Sequence, residues 1–502
     1  MEKSGDDPEI RVTQHGNSPE DDCYDPERMD QSNTPNTTIA QPSPRDWSFA
    51  RKCAATFILS AFAFLQPLAE TGIAPAKAQI SRDLDIRHDY QWMLANSLIL
   101  GGLGLSSIVL APLSEVFGRK PVLLGGCLFF TVWNTACGGA GTLAQMLVLR
   151  LFSGFGASVG DSVAGGVISD LWPAELRGRA FAVFMIAPLL GTALGPIFGA
   201  FLTEGADWRW LFWMTSFASV ATIGVAFFFF QETSKDALQR KANQDGADEN
   251  TGGKGKRKLQ VTITNLLTVL GPNLQRPFRM MGTQTIIQVI GVYMALLYGI
   301  LWLFLFMYPQ IWKEQYQQGT RTASLNYLSF ALGLVAGVNI AGHLSDRIYA
   351  RLKARNHGVG RPEFRIPTML IGTILAPAGL LCWGWSGEAK LHWIVPNIGS
   401  FIFAVGTYVS SACVSVYVID TYTKYAASAT STNLILRSLT AAVFPLFAPY
   451  MFNSFGFGIG ATILAAGFLA IGVAAMCILW FFGETLRARS PYCAATINED
   501  ST

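Results

Sequence analysis

The feature that most constrains this chain is a succession of apolar runs, each about twenty residues long, recurring from about residue 53 to residue 482. A helix of that length crosses a hydrocarbon core of ~30 Å. Length alone, 502 residues, would suggest about three water-soluble domains. The apolar runs forbid that reading, and so does the charge content: 14% of residues are charged and 51% hydrophobic, where soluble domains carry about 25% charged residues. In lipid every backbone N–H and C=O must be satisfied within the protein, so the runs fold as helices. The fold class expected is therefore an all-α membrane protein.

Twelve transmembrane helices are predicted, at about 53–76, 90–112, 121–140, 144–168, 181–203 and 209–230, then 284–308, 323–344, 366–386, 391–417, 428–451 and 458–482. The chain divides into an acidic tail (1–50), a first six-helix half (51–230), a linker (231–282), a second half (283–485) and a short tail (486–502). Residues 1–46 hold eleven acids, four bases and no apolar run, so they read as a disordered extension and not as a cleavable leader. Basic residues orient the spans. With the N-terminus in the cytosol, only seven Lys and Arg fall in the outer loops, two lie within spans, and 28 of the 37 fall inside, the sense set by the positive-inside rule. Both termini are then cytosolic. The linker carries Lys254, Lys256, Arg257 and Lys258; a solvated loop and a patch touching anionic lipid headgroups are both open, and a short surface helix is expected at 260–270.

Net charge is +3, which suggests no nucleic-acid partner. The eight cysteines are scattered, mostly inside apolar runs, with no zinc or disulfide spacing. No phosphate loop, metal cluster or nucleophile arrangement is visible, so neither an enzyme nor a cofactor nor a metal is expected.

Two loops repeat one another. Ala111-Pro-Leu-Ser-Glu115-Val-Phe-Gly118-Arg119-Lys120 follows the second span, and Gly342-His-Leu-Ser-Asp346-Arg347 follows the eighth. Each sets a small residue, then Leu-Ser, then an acid, then bases, at matching places of the two halves. Acid and base can pair across neighbouring helix ends as a latch that breaks when the halves rock. This assigns Glu115, Gly118, Arg119, Lys120, Asp346 and Arg347 to a cytosolic gate.

The first loop resembles the signature loop of the major facilitator superfamily, with Ala111 for its glycine and Glu115 for its aspartate. Arg150-Leu-Phe-Ser-Gly154-Phe-Gly156 resembles that superfamily's Arg-x-x-x-Gly-x-Gly motif, and Gly191-Thr-Ala-Leu-Gly195-Pro196-Ile-Phe-Gly199-Ala resembles its antiporter signature, with Ala200 in the last place. Together they are similar to the twelve-helix fungal drug:proton antiporter family. The resemblance covers about 50–485 and implies two pseudo-symmetric six-helix halves, a monomer, and a central cavity lined by the first, fourth, seventh and tenth helices. Independently of it, Gly191, Gly195 and Gly199 share one helix face, which lets another helix approach closely, and Pro196 removes a backbone donor and kinks its helix. A seal between aqueous cavities and simple helix packing both fit that face.

A charge near mid-bilayer costs about 2.5–3.5 kcal/mol on insertion scales, so the four in these spans are functional candidates: Glu70, Arg150, Asp161 and Arg437. Asp161 is the deeper acid and first choice for a proton carrier; Glu70, beside Pro67 and Gly72, is the second. Water-held glutamate at the interface, aspartate in helix packing and snorkelling arginine are the alternatives. Eleven residues, about 16 Å of helix, part Arg150 from Asp161, so each needs another partner. Gln66, Tyr298, Trp302 and Tyr408 are candidate cavity residues.

The function expected is proton-coupled efflux of small amphiphilic organic compounds, drugs or secondary metabolites, by alternating access. Its partners would be a small organic substrate, protons and membrane lipid. The cell membrane is favoured over the vacuolar one by the resemblance alone. An uptake carrier for sugars or organic acids and a transporter-like receptor are the alternatives.

Overall fold

The structure, a computed structural model, describes residues 44–234, 237–238, 275–422 and 425–493. The acidic tail up to residue 43, the basic cluster at 254–258 and the surface helix expected at 260–270 lie outside the described residues.

Among the described residues, eleven helices are long and apolar enough to cross a membrane. In chain order, spans 1 to 3 are Phe49–Thr71, Asp89–Phe117 and Arg119–Gly138. Span 4 is built from two helices, Leu143–Ala157 and Val159–Leu171. Spans 5 and 6 are Ala174–Gly205 and Arg209–Phe229. Spans 7 to 10 are Thr285–Glu314, Tyr327–Arg355, Ile366–Glu388 and Ile394–Thr421.

The last helix, Ala426–Arg489, has 64 residues and would be about 96 Å long if straight, several times what a bilayer accepts. It breaks at Gly456, whose φ of 76° and ψ of 175° no helix contains, and so supplies span 11 (426–455) and span 12 (457–489). Glu388, the last residue of span 9, accepts a 2.5 Å hydrogen bond from the Gly458 backbone N–H, satisfying a donor that a helix start leaves free.

Most spans run several residues beyond the apolar stretches, because their polar ends stand outside the hydrocarbon. Two differences matter more. Span 4 is interrupted at Ser158, where one continuous helix was expected. Residues 275–282, expected to be linker, are helical and lead into span 7.

The loops after spans 2 and 8 share one end of the bundle, here called the basic end. Span 2 lies against span 11 and span 5 against span 8, and these contacts join the two halves. The Ser97 hydroxyl donates to the Ala442 carbonyl at 2.7 Å, and Gly104 packs on Ser438. At the end opposite the basic one, Arg321 after span 7 pairs with Glu204 of span 5 at 2.6 Å.

Candidate functional site

Span 1 is shaped by what packs on it. The glycine face of span 5 lies along its last two turns: a Cβ on Gly191 would strike the Phe64 carbonyl, one on Gly195 the Thr71 hydroxyl, and one on Gly199 the Gly72 carbonyl. The two backbones are in contact, as only side-chain-free faces permit. Pro196 has no N–H, so the Thr192 carbonyl one turn earlier loses its helical partner. The Thr71 hydroxyl donates to that carbonyl at 3.1 Å and lies 2.9 Å from its own-helix acceptor, the Pro67 carbonyl. The signature glycines and proline therefore fix the segment of span 1 that carries Gln66 and Glu70.

Arg150 is fully buried. Its guanidinium donates to the carbonyls of Ala69 (3.2 Å), Ala95 (3.3 Å) and Asn96 (3.2 Å). Ala69 lies in the last turn of span 1, where carbonyls lack helical donors. Arg150 thus ties spans 1, 2 and 4 together beside Glu70. In the same motif, Gly154 meets Gly102 of span 2 while Gly156 meets Gly126 and Phe130 of span 3.

Glu70 is buried and accepts from the Gln66 amide nitrogen at 3.0 Å. It lies within electrostatic reach of both Arg150 and Asp161. Asp161 sits in the first turn of the second helix of span 4, where the free N–H groups favour a negative charge; the break at Ser158 puts it there. Neighbouring Gly160 packs on Ala63 of span 1, one turn from Gln66. Across the interface Asp161 faces Arg437 of span 11 within electrostatic reach, yet no direct ion pair joins them, and Asp161 Oδ1 is buried with no hydrogen-bond partner among the described residues.

Arg437 stacks on the Tyr298 ring of span 7, 4.5 Å from its centroid, and donates to the Tyr298 hydroxyl at 3.0 Å. That hydroxyl is 3.1 Å from Ser411 of span 10, and Tyr408 is near enough to Tyr298 to sense it. The four charges therefore form one region as a chain of neighbours, Arg150 beside Glu70, Glu70 within reach of Asp161 and Asp161 within reach of Arg437, from span 1 to span 11.

Trp302, one turn on from Tyr298, is buried in the apolar core against which Tyr298 and Tyr408 also pack, its ring 5.5 Å from Phe306. Asn96, fully buried with neither amide atom partnered among the described residues, and Ser411 belong to the region but carry no charge, so the sequence offered no signal for them.

At the basic end the pairing runs between spans. Among the described residues Glu115 and Arg347, both exposed, make no ion pair. Arg119 instead donates to Ser114 at 2.6 Å and pairs with Asp170 at the end of span 4 at 3.4 Å. Glu232, just past span 6, accepts the backbone N–H groups of Arg119 (2.8 Å) and Lys120 (3.1 Å), and the Lys120 ammonium caps the Phe227 carbonyl at 2.8 Å. Gly118 makes the corner with φ of 98°, and a Cβ there would come within 2.5 Å of the Glu232 carboxylate. In the second half, Arg365 at the start of span 9 donates to Ser345 at 2.9 Å and pairs with Asp420 at the end of span 10 at 3.5 Å and with Asp346 at 3.2 Å. The bases follow the acids by different spacings in the two halves, and the decisive acids come from a third helix, which spacing along one loop cannot reveal.

The family model of the Major Facilitator Superfamily matches residues 59–445. The chain belongs to the Major Facilitator Superfamily. This superfamily member is 37% identical to the efflux pump vrtL of Penicillium aethiopicum, over 90% of its own length and 89% of that relative's. It is 38% identical to an uncharacterised transporter of Schizosaccharomyces pombe (89% and 91%), and 35% identical to the MFS-type transporter oryF of Aspergillus oryzae (92% and 96%). Among solved structures, the xylose transporter XylE from E. coli superimposes with a TM-score of 0.62 at 14% identity, covering 86% of this chain and 99% of that one. A bacterial homolog of the human lysosomal transporter Spinster also gives 0.62 at 14% (89% and 100%). The facilitator fold is thus established, and with it a multi-pass membrane transporter.

Proposed function

We propose that this chain is a proton-driven exporter of small amphiphilic organic molecules, working by alternating access in the cell membrane with both termini in the cytosol. The names of its relatives support the direction: one from Penicillium aethiopicum is an efflux pump and one from Aspergillus flavus a probable efflux pump. The positive-inside rule supports the orientation.

One observation carries the coupling: Asp161, with an unpartnered buried oxygen, faces Arg437 across the seam between the halves. A carboxylate that can receive a proton or a cargo group, but not both, lets one displace the other. Arg150, held by three carbonyls, stays charged and sets the electrostatics around Glu70. The Arg119 and Arg365 clamps stiffen the cytosolic end of each half, and Glu204–Arg321 closes the outer end and breaks when that side opens. One proton entering at 100 mV supplies about 2.3 kcal/mol and one pH unit about 1.4 kcal/mol. Together they sustain a gradient of about several hundredfold for a neutral cargo.

The test is pH-gradient-driven transport in reconstituted vesicles. Asp161→Asn is expected to abolish uphill export while exchange of cargo for cargo, which needs no net proton movement, persists. Uphill export by the variant at the unaltered rate would refute the assignment.

A further inference from the structure

Resting on the export reading, we propose that the cargo is an uncharged aromatic molecule with at least one hydroxyl donor and one carbonyl acceptor, seated between Gln66 and Asp161 of the first half and Tyr298 and Arg437 of the second.

Charge decides the first property. The region holds two acids, Glu70 and Asp161, and two bases, Arg150 and Arg437, so it is neutral when proton-free. A cationic or anionic cargo would leave one uncompensated charge in a low-dielectric setting, which is costly. An uncharged cargo leaves the balance intact. When a proton arrives, the region gains a positive charge and Asp161 loses acceptor strength, so cargo leaves.

Hydrogen-bond capacity decides the second property. Gln66 is only 5% exposed. Its amide is oriented by the bond from Nε2 to Glu70, so Oε1 is an acceptor, and it has no partner among the described residues. Asp161 Oδ1 is a second such acceptor, one helix away through the Gly160–Ala63 contact. Buried acceptors without donors are costly, and a cargo hydroxyl supplies the donor. On the opposite wall, among the described residues, the Arg437 guanidinium makes one hydrogen bond, to Tyr298. A guanidinium has five N–H donors, so it can also take a cargo carbonyl. Tyr298 and Tyr408 supply ring surface, which favours a flat aromatic body.

The experiment is equilibrium binding to the full-length protein in nanodiscs, at a pH that keeps phenols uncharged. The probes are 7-hydroxy-4-methylcoumarin, its 7-methoxy analogue, coumarin-3-carboxylate and tetraphenylphosphonium. The hydroxyl probe is expected to bind about tenfold tighter than the methoxy probe, the ratio for one hydrogen bond to a charged or buried acceptor, and tighter than both ions. Gln66→Leu is expected to erase the hydroxyl-to-methoxy ratio, and a cooperative thermal melt of the variant in the same nanodiscs checks that it folds. Equal binding of the two neutral probes, tighter binding of either ion, no binding of the hydroxyl probe, or a ratio surviving both Gln66→Leu and Asp161→Asn would overturn the assignment. Hydroxycoumarin bound but not moved by a proton gradient would sink the export reading and leave the cargo class standing; proton-driven export of tetraphenylphosphonium would do the reverse.

Discussion

At the basic end the two halves hold the same three side chains in the same arrangement: Ser114, Arg119 and Asp170 in the first, Ser345, Arg365 and Asp420 in the second. Each arginine, at the start of its span, binds a serine of the preceding span and an aspartate at the end of the following one. In the middle of the bilayer the halves share nothing. The first holds Glu70, Asp161 and Arg150, and the second holds Arg437 alone. What repeats is the hardware that sets each half's shape; what differs is the chemistry the seam encloses. With both of its carboxylates ionised the first half carries one excess negative charge and the second one positive, so parting the halves then separates opposite charges.

The strongest way to break this contrast is to remove the base that only the first half buries. Arg150→Leu takes the donor from the Ala69 carbonyl at the end of span 1 and leaves two acids against one base. It is expected to cost about 3–5 kcal/mol, as loss of one member of a buried charged set does, read as a collapse in thermal stability and recovery of folded protein. Recovery equal to the parent would show the central charges to be dispensable for folding.

Next is the seat of span 1. Gly199→Val drives methyl groups into the Gly72 carbonyl and is expected to cost about 1–3 kcal/mol. The melting temperature in detergent checks it, and an unchanged value would mean that spans 1 and 5 are not in backbone contact.

The repeated clamps sharpen the other side of the comparison. Arg119→Ala and Arg365→Ala each remove hydrogen bonds to a charged, partly buried partner and are expected to shift the inward–outward equilibrium by about 1–2 kcal/mol. The two shifts should add, because the sites lie in different halves with no shared partner. Spin-label distances across each end measure this, and a large departure from additivity would make the two clamps one device. Smallest of all, Glu115→Gln and Arg347→Gln are expected to change stability and transport energetics by no more than about 0.5 kcal/mol. A loss of transport in either would give that residue a part in the cytosolic gate.

The spans and the four central charges were legible in the sequence for one reason: inside an apolar run a charge is expensive, so its presence already argues for a role. The glycine face of span 5 was legible because period and residue size alone dictate it. At the basic end that logic fails. Polar residues are cheap at helix ends, so Asp170, Glu232, Arg365 and Asp420 look like any interfacial residue, and only the packing of span 3 with spans 4 and 6 and of span 9 with span 10 selects them. The break at Ser158 was hidden because the residues around it, Gly156 and Gly160, also suit a continuous helix packed tightly on its neighbours. For Trp302, as for Tyr298 and Tyr408, an aromatic in an apolar span does not say from sequence whether it meets a cavity or a core.

The central claim is that Asp161 and Arg437 act on one another across the seam. A double-mutant cycle tests it: the pH midpoint of export from vesicles, measured for the parent, Asp161→Asn, Arg437→Gln and the double variant, with cargo exchange as the readout where export is lost. The account predicts strong non-additivity, the second substitution adding little once the first is made. Independent effects that sum to the double variant's would contradict it.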